Sequence, residues 1–138
     1  MSVRMPILPQ GLSASPAFAP GVQVGELLFI SGQVAQDNEG NLVAPGDCEA
    51  QTRHIMSRIQ TIAEAAGATM RDVVKTTTLR DVVKTTTFLT DVAGYSAFSR
   101  VRAETFPSNP PASSTVIVAG LVRPEFLVEV EAIVHIPG

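Results

Sequence analysis

The chain carries one nine-residue segment twice in direct succession: RDVVKTTTL at 71–79 and RDVVKTTTF at 80–88, identical at eight of nine positions. Nine is odd, and side chains along a β-strand alternate with a period of two. A shift of nine residues therefore exchanges the inward and outward faces of a strand. The two copies cannot form one continuous strand with a consistent buried face. Nor do two copies make a solenoid, which needs three or more units to bury a shared core. One copy is expected to form a central strand and the other to be looped out or artefactual. The β-branched run at 82–87, leading into Phe88 and Leu89, predicts the second copy as the strand. A looped-out copy costs little, because closure entropy grows slowly with loop length.

The remaining elements follow from periodicity. Residues 1–20 are rich in Pro, Ser and Ala and are expected to form an extended arm. Gly21 to Gly25 reads as a turn, and Leu27, Leu28, Phe29 and Ile30 as a buried strand continued by Val34 and Ala35. Asp37, Asn38, Glu39, Gly40 and Asn41 form a turn cluster, with Leu42 and Val43 returning. Asp47 is placed to cap a helix over 47–66. Ile55, Ile59, Ile62 and Ala66 make its apolar stripe, Gln51, Arg53, Arg58 and Glu64 fall mostly on other faces, and Gly67 stops it. Thr90 or Asp91 opens a second helix through Tyr95, Phe98, Val101 or Arg102, and Phe106, ended by Pro107, Pro110 and Pro111. Residues 114–119 are a β-branched strand. Residues 126–136 are the longest strand signal, with Leu127, Glu129, Glu131, Ile133 and His135 on one face and Val128, Val130, Ala132, Val134 and Ile136 on the other. Two helices on one face of a mixed sheet is the economical packing, an α+β sandwich.

Composition narrows the function classes. The 138 residues amount to one domain, 1–138, on the prior of about 100–200 residues per domain. Only 17% are charged, too few to cover the surface of a small monomer, so apolar surface is expected against another subunit. The net charge of −3 and the scattered basic residues disfavour binding to a nucleic-acid backbone. Cys48 is the only cysteine, and His54 and His135 lie far apart, so neither a disulfide nor a metal site is expected. There is no Gly-rich phosphate loop and no Ser-His-Asp set. No stretch approaches the ~20 apolar residues that span a bilayer, and residues 1–10 lack a long apolar run, so the expected location is cytoplasmic.

Three segments together resemble the RidA (YjgF) family, whose members also carry the names endoribonuclease L-PSP and translation initiation inhibitor. They are GELLFISGQ at 25–33, DVVKTTTFLTD at 81–91, and PASS at 111–114 with the closing LVEVEAI at 127–133. Their order and spacing match the family across nearly the whole chain once one nine-residue copy is set aside. The resemblance implies a chorismate-mutase-like fold and a homotrimer with a cleft at each subunit boundary. It also implies hydrolysis of small imines and enamines, such as 2-aminoacrylate, to a keto compound and ammonia, without a cofactor. The ligand would be a small imine, enamine or carboxylate.

Residue by residue, the resemblance carries over Glu129 as the catalytic group that positions or activates water. Ser31 matches the family's strand-end serine, and Gly32 allows close backbone approach. Phe18 stands where tyrosine is common, Ser99 where asparagine is common and Thr115 where cysteine is common. Ser113 stands where the deaminases carry their substrate-binding arginine. A serine hydroxyl can bond a carboxylate but cannot neutralise it, and charge-assisted bonds are roughly twice as strong. Arg102 or Arg123 are candidates to replace that cation. Three readings follow: a divergent imine hydrolase, a ligand-binding trimer without chemistry, and an RNA-directed protein, the last opposed by the acidic balance.

Overall fold

The computed structural model describes residues 3–12, 15–67 and 81–136. Its organising element is β6 (Val128–His135). Val128, Val130, Ala132 and Val134 are buried, while Glu131 and His135 on the alternate positions are exposed. β6 can therefore lie in mid-sheet with one face on a core. It pairs antiparallel with β3 (Leu27–Gln33) on one side and with β4 (Val82–Leu89) on the other. β5 (Ala112–Ile117) adds parallel to β4, and β1 (Met5–Ile7) and β2 (Gly21–Val24) complete the order β1-β2-β3-β6-β4-β5.

Two expectations are corrected here. Part of the N-terminal arm is strand β1, and most of the expected 21–25 turn is strand β2; the turn proper is confined to the end of that segment, at Gly25 with φ 59°. Each is short and rich in Pro or Gly, and each gains its conformation from pairing with a neighbour rather than from its own propensity. β3 is half-buried rather than buried: Leu28 and Ile30 are covered, while Leu27 and Phe29 face outward. It ends at Gln33, and Leu42 keeps only an isolated bridge to Gln36. β4 lies in the second copy of the repeat, with Val82, Thr85, Thr87 and Leu89 buried. The first copy, 71–79, lies outside the described residues.

Helix α1 (Cys48–Ala65) begins where Asp47 accepts a hydrogen bond from the Ala50 amide. At its end the Ala66 and Gly67 amides donate to Ala63 and Glu64. Ile55, Ile59 and Ile62 are fully buried against the sheet, each worth about 1.5–3 kcal/mol relative to exposure. Asp91 opens a 3-10 turn over Val92–Gly94, and this leads into α2 (Tyr95–Thr105), which buries Phe98 and Val101 beside α1. The two helices thus cover one face of a six-stranded mixed sheet.

The other sheet face is open. Phe29 stands opposite Ile133, and Phe88 lies between Glu129 and Val116, with Phe29 and Val116 45% and 44% exposed. Leu27 and Val83 add further exposed apolar surface to the chain.

Candidate active site

A cleft of about 990 Å³ runs along the end of β3 and the start of β6. Phe18, Ser31, Gly32, Arg58, Arg123 and Glu129 are among the residues that line it. Within this one chain the structure thus brings together Phe18, Ser31, Gly32 and Glu129. Ser99, Ser113 and Thr115 lie outside this cleft. Ser113 and Thr115 sit on β5 opposite Thr85 and Thr87, and Ser99 sits on α2.

Glu129 lies across Gly32. A methyl group built on the Gly32 Cα would stand 2.1 Å from Glu129 Oε2 and 2.8 Å from its Cδ. A side chain at position 32 would displace that carboxylate. Burial, and secondarily the like charge of Glu131, raise the Glu129 pKa above the ordinary carboxylate value. A carboxyl group pushed toward neutrality is suited to taking up and returning a proton.

Ser31 is held at both ends. Its amide donates to Pro20 O at 2.9 Å and its hydroxyl donates to Ala19 O at 2.7 Å. With its proton so engaged, Ser31 Oγ offers only lone pairs to a ligand. It can receive an N–H but cannot donate to a carboxylate. The 17–20 segment that carries Phe18 is fixed to the end of β3 by the same two bonds.

Arg58 and Gln33 were not expected at the site. Gln33 is buried and donates from Nε2 to Ser31 O at 2.9 Å, while its Oε1 accepts from Arg58 Nε at 3.0 Å. Arg58 also donates to Gln36 O at 2.9 Å, and His54, one turn earlier, meets the same carbonyl at 2.7 Å. α1 thus holds the segment after β3 by a chain of bonds ending at Ser31. The expectation that Gln51 and Arg58 turn away from the packed side of α1 is corrected. Gln51 is fully buried, its amide donating to Ala44 O and Glu125 O and accepting from the Leu127 amide. That bond set fixes the entry to β6 and hence the position of Glu129. Spacing carried a usable signal: Gln51 precedes Ile55 by one turn, and Arg58 lies between Ile55 and Ile62 on the same side.

Of the two candidate arginines, Arg123 lines the cleft, donating to Gly40 O at 3.1 Å and lying over the Phe126 ring. Arg102 is elsewhere, stacked on Phe98 and bonded to Tyr95 Oη and Ser99 Oγ. Among the described residues no group of three or more His, Cys, Asp or Glu could hold a metal ion, and no helix is long and apolar enough to cross a membrane.

The family model for endoribonuclease L-PSP matches residues 9–136. The chain belongs to the RidA/YjgF/L-PSP family. Solved Rid-family structures agree over almost the full length. RidA from the Antarctic bacterium Psychrobacter sp. is 30% identical, with 96% of this chain and 99% of that one covered and a TM-score of 0.81. The Rid-family protein YyfA from Yersinia pestis is also 30% identical, with coverage of 96% and 99% and a TM-score of 0.82. A member of the YjgF/YER057c/UK114 family from Mycobacterium tuberculosis is 28% identical, with coverage of 96% and 99% and a TM-score of 0.76. The six-stranded sheet with two helices is the Rid fold, and the cleft beside Gly32 belongs to a Rid-family chain.

Proposed function

We propose that this chain is an imine and enamine hydrolase that works in clefts at the subunit boundaries of a homotrimer. The observation that carries the reading is the Glu129 carboxyl, raised in pKa and seated over the bare Gly32 backbone in an open cleft. The step balances without a cofactor. Glu129 takes a proton from water as the water oxygen bonds to the C=N carbon, and the proton passes to the nitrogen. The resulting carbinolamine loses ammonia as its C–N bond breaks and a carbonyl forms. An enamine first gains a proton on carbon and becomes the imine. Ser31 Oγ, a lone-pair donor here, suits the N–H of the imine and of the departing ammonia.

The trimer is supported by the open sheet face, whose exposed Phe29 and Val116 favour cover. In such an assembly Ser99, Ser113 and Thr115 would close the cleft from a neighbouring subunit. A ligand-binding trimer without chemistry is the competing reading, favoured by Ser113 and its lack of charge.

The test is ammonia and keto-acid release from imines generated in place by an amino-acid oxidase, across a panel of side chains, with the oligomer checked by sedimentation. Acceleration over the spontaneous rate for even one imine supports the hydrolase. A trimeric protein that accelerates none of them refutes it and leaves the binding role.

A further inference from the structure

We infer that Arg58, on α1, is the specificity-determining residue of the cleft and grips the carboxylate of a small anionic ligand. The inference rests on the cleft being the ligand site, as proposed above.

Arg58 is half-buried, and its hydrogen-bond partners among the described residues are all neutral: Gln33 Oε1 at 3.0 Å, Gln36 O at 2.9 Å and Asn38 Oδ1 at 3.4 Å. Those bonds use Nε and Nη1. Among the described residues Nη2 donates to nothing, and no carboxylate stands within 4.0 Å of the guanidinium. Asp37 acts on it only as a more distant charge. A guanidinium does not shed its proton in a protein, so this one stays charged while losing part of its hydration. The other arginines with ion pairs among the described residues are already answered: Arg53 and Arg100 pair with Glu49, and Arg123 has Glu125 at 3.7 Å. Among the described residues, Arg58 is the cation lining the cleft with no carboxylate within 4.0 Å.

Its anchoring also fits the role. Two edges of the guanidinium are pinned by α1's own neighbours, so the remaining N–H is oriented before any ligand arrives, and little ordering is lost on binding. A planar anion meets that edge with charge-assisted bonds. The acidic groups Asp37, Glu39, Glu129 and Glu131 line the same cleft, and the Glu129 pKa is raised by burial and by Glu131. A short ligand would lie in the cleft with its carboxylate toward Arg58 and its reacting carbon toward Glu129. Ser113, being neutral, leaves the charge of such a ligand to be met from this direction.

The test uses the full-length protein and the stable ligand 2-oxobutanoate, with its neutral amide, 2-oxobutanamide, as control. Calorimetric titration gives Kd for wild type, Arg58→Gln, Arg58→Lys and Arg123→Gln. Arg58→Gln is expected to weaken 2-oxobutanoate by about tenfold or more. The amide should change by less than about twofold, since it has no charge to lose. Arg58→Lys, which keeps the charge but not the fork, falls between, and Arg123→Gln loses less than Arg58→Gln. Should Arg58→Gln fail to fold, the wild-type protein still decides, because 2-oxobutanoate must shift the Arg58 side-chain N–H resonance. Three results overturn the inference: no 2-oxobutanoate binding by wild type, equal binding by Arg58→Gln, or loss in Arg123→Gln instead. The readout is independent of turnover. A protein that hydrolyses no imine but loses the anion in Arg58→Gln keeps this inference and ends the hydrolase reading. A protein that hydrolyses imines and ignores Arg58→Gln does the reverse.

Discussion

Replacing Gly32 by alanine separates what the site needs from what the fold needs. Gly32 does not have a positive φ, so its backbone accepts a side chain. The obstacle is Glu129. The new Cβ would stand 2.1 Å from Oε2, and the carboxylate must retreat by about 1.3 Å to regain an ordinary 3.4 Å contact. The atom that must move is the end of a flexible side chain rather than backbone, so the strain is cheaply relieved. Stability should therefore change by no more than about 1 kcal/mol, with a small gain from the lost freedom of the unfolded chain offsetting part of the strain. Catalysis is less forgiving. A misplacement of about 1 Å costs on the order of 100-fold in rate, equivalent to about 2.7 kcal/mol of transition-state stabilisation. The assay is kcat/KM for the best imine of the panel, alongside Tm and a crystal structure of Gly32→Ala. The expected result is a loss of about 100-fold at nearly unchanged Tm, with Glu129 displaced. Wild-type turnover by Gly32→Ala, or lost turnover with Glu129 unmoved, would refute the reasoning.

Glu131→Gln removes the like charge that helps raise the Glu129 pKa, so the acid limb of the pH–rate profile should move to lower pH with the basic limb unchanged. A limb that stays in place contradicts the assignment of Glu129 as the base. The same shift acts on stability. A carboxyl whose folded pKa exceeds its unfolded value of about 4.3 stabilises the fold below that value, and the benefit is lost as pH rises through the folded pKa. Thr87 is buried on β4 with a hydroxyl that has no partner among the described residues, so Thr87→Val is expected to stabilise by about 1 kcal/mol, a Tm rise of roughly 3–5 °C in calorimetry. A fall in Tm would mean that the hydroxyl is satisfied. A chain lacking 71–79 keeps all of β4 and should retain the sheet and the oligomer, read by circular dichroism and sedimentation. Its failure to fold would assign the first copy a structural role.

Much of the fold was legible where local pattern and burial coincide. β6 alternates because one face meets the helices, and α1 declares itself through Asp47, the isoleucine stripe and Gly67. β1 and β2 were not legible, because four residues or fewer carry no period and their structure comes from partners distant in sequence. At the site, Glu129 and Gly32 were named from the family resemblance, but their mutual fit needed coordinates: the closeness of Glu129 Oε2 to Gly32 depends on the β3–β6 register and the bulge between Ile30 and Gln33. Arg58 and Gln51 lie on the isoleucine side of α1, but polar residues on a helix mostly face solvent, so their spacing alone does not mark them as buried. Their burial follows from backbone groups at Gln36, Ala44 and Glu125 that need partners, a demand invisible in one dimension.

The most direct test of the account is Glu129→Gln, compared with wild type in the same oligomeric state on the imine that wild type hydrolyses fastest, with 2-oxobutanoate binding measured in parallel. The amide keeps the shape of the side chain and removes its ability to take a proton. The account predicts turnover reduced to the spontaneous rate while 2-oxobutanoate binds as before. Turnover within a few-fold of wild type would contradict it, and would mean that the carboxyl over Gly32 is not the group that handles the proton.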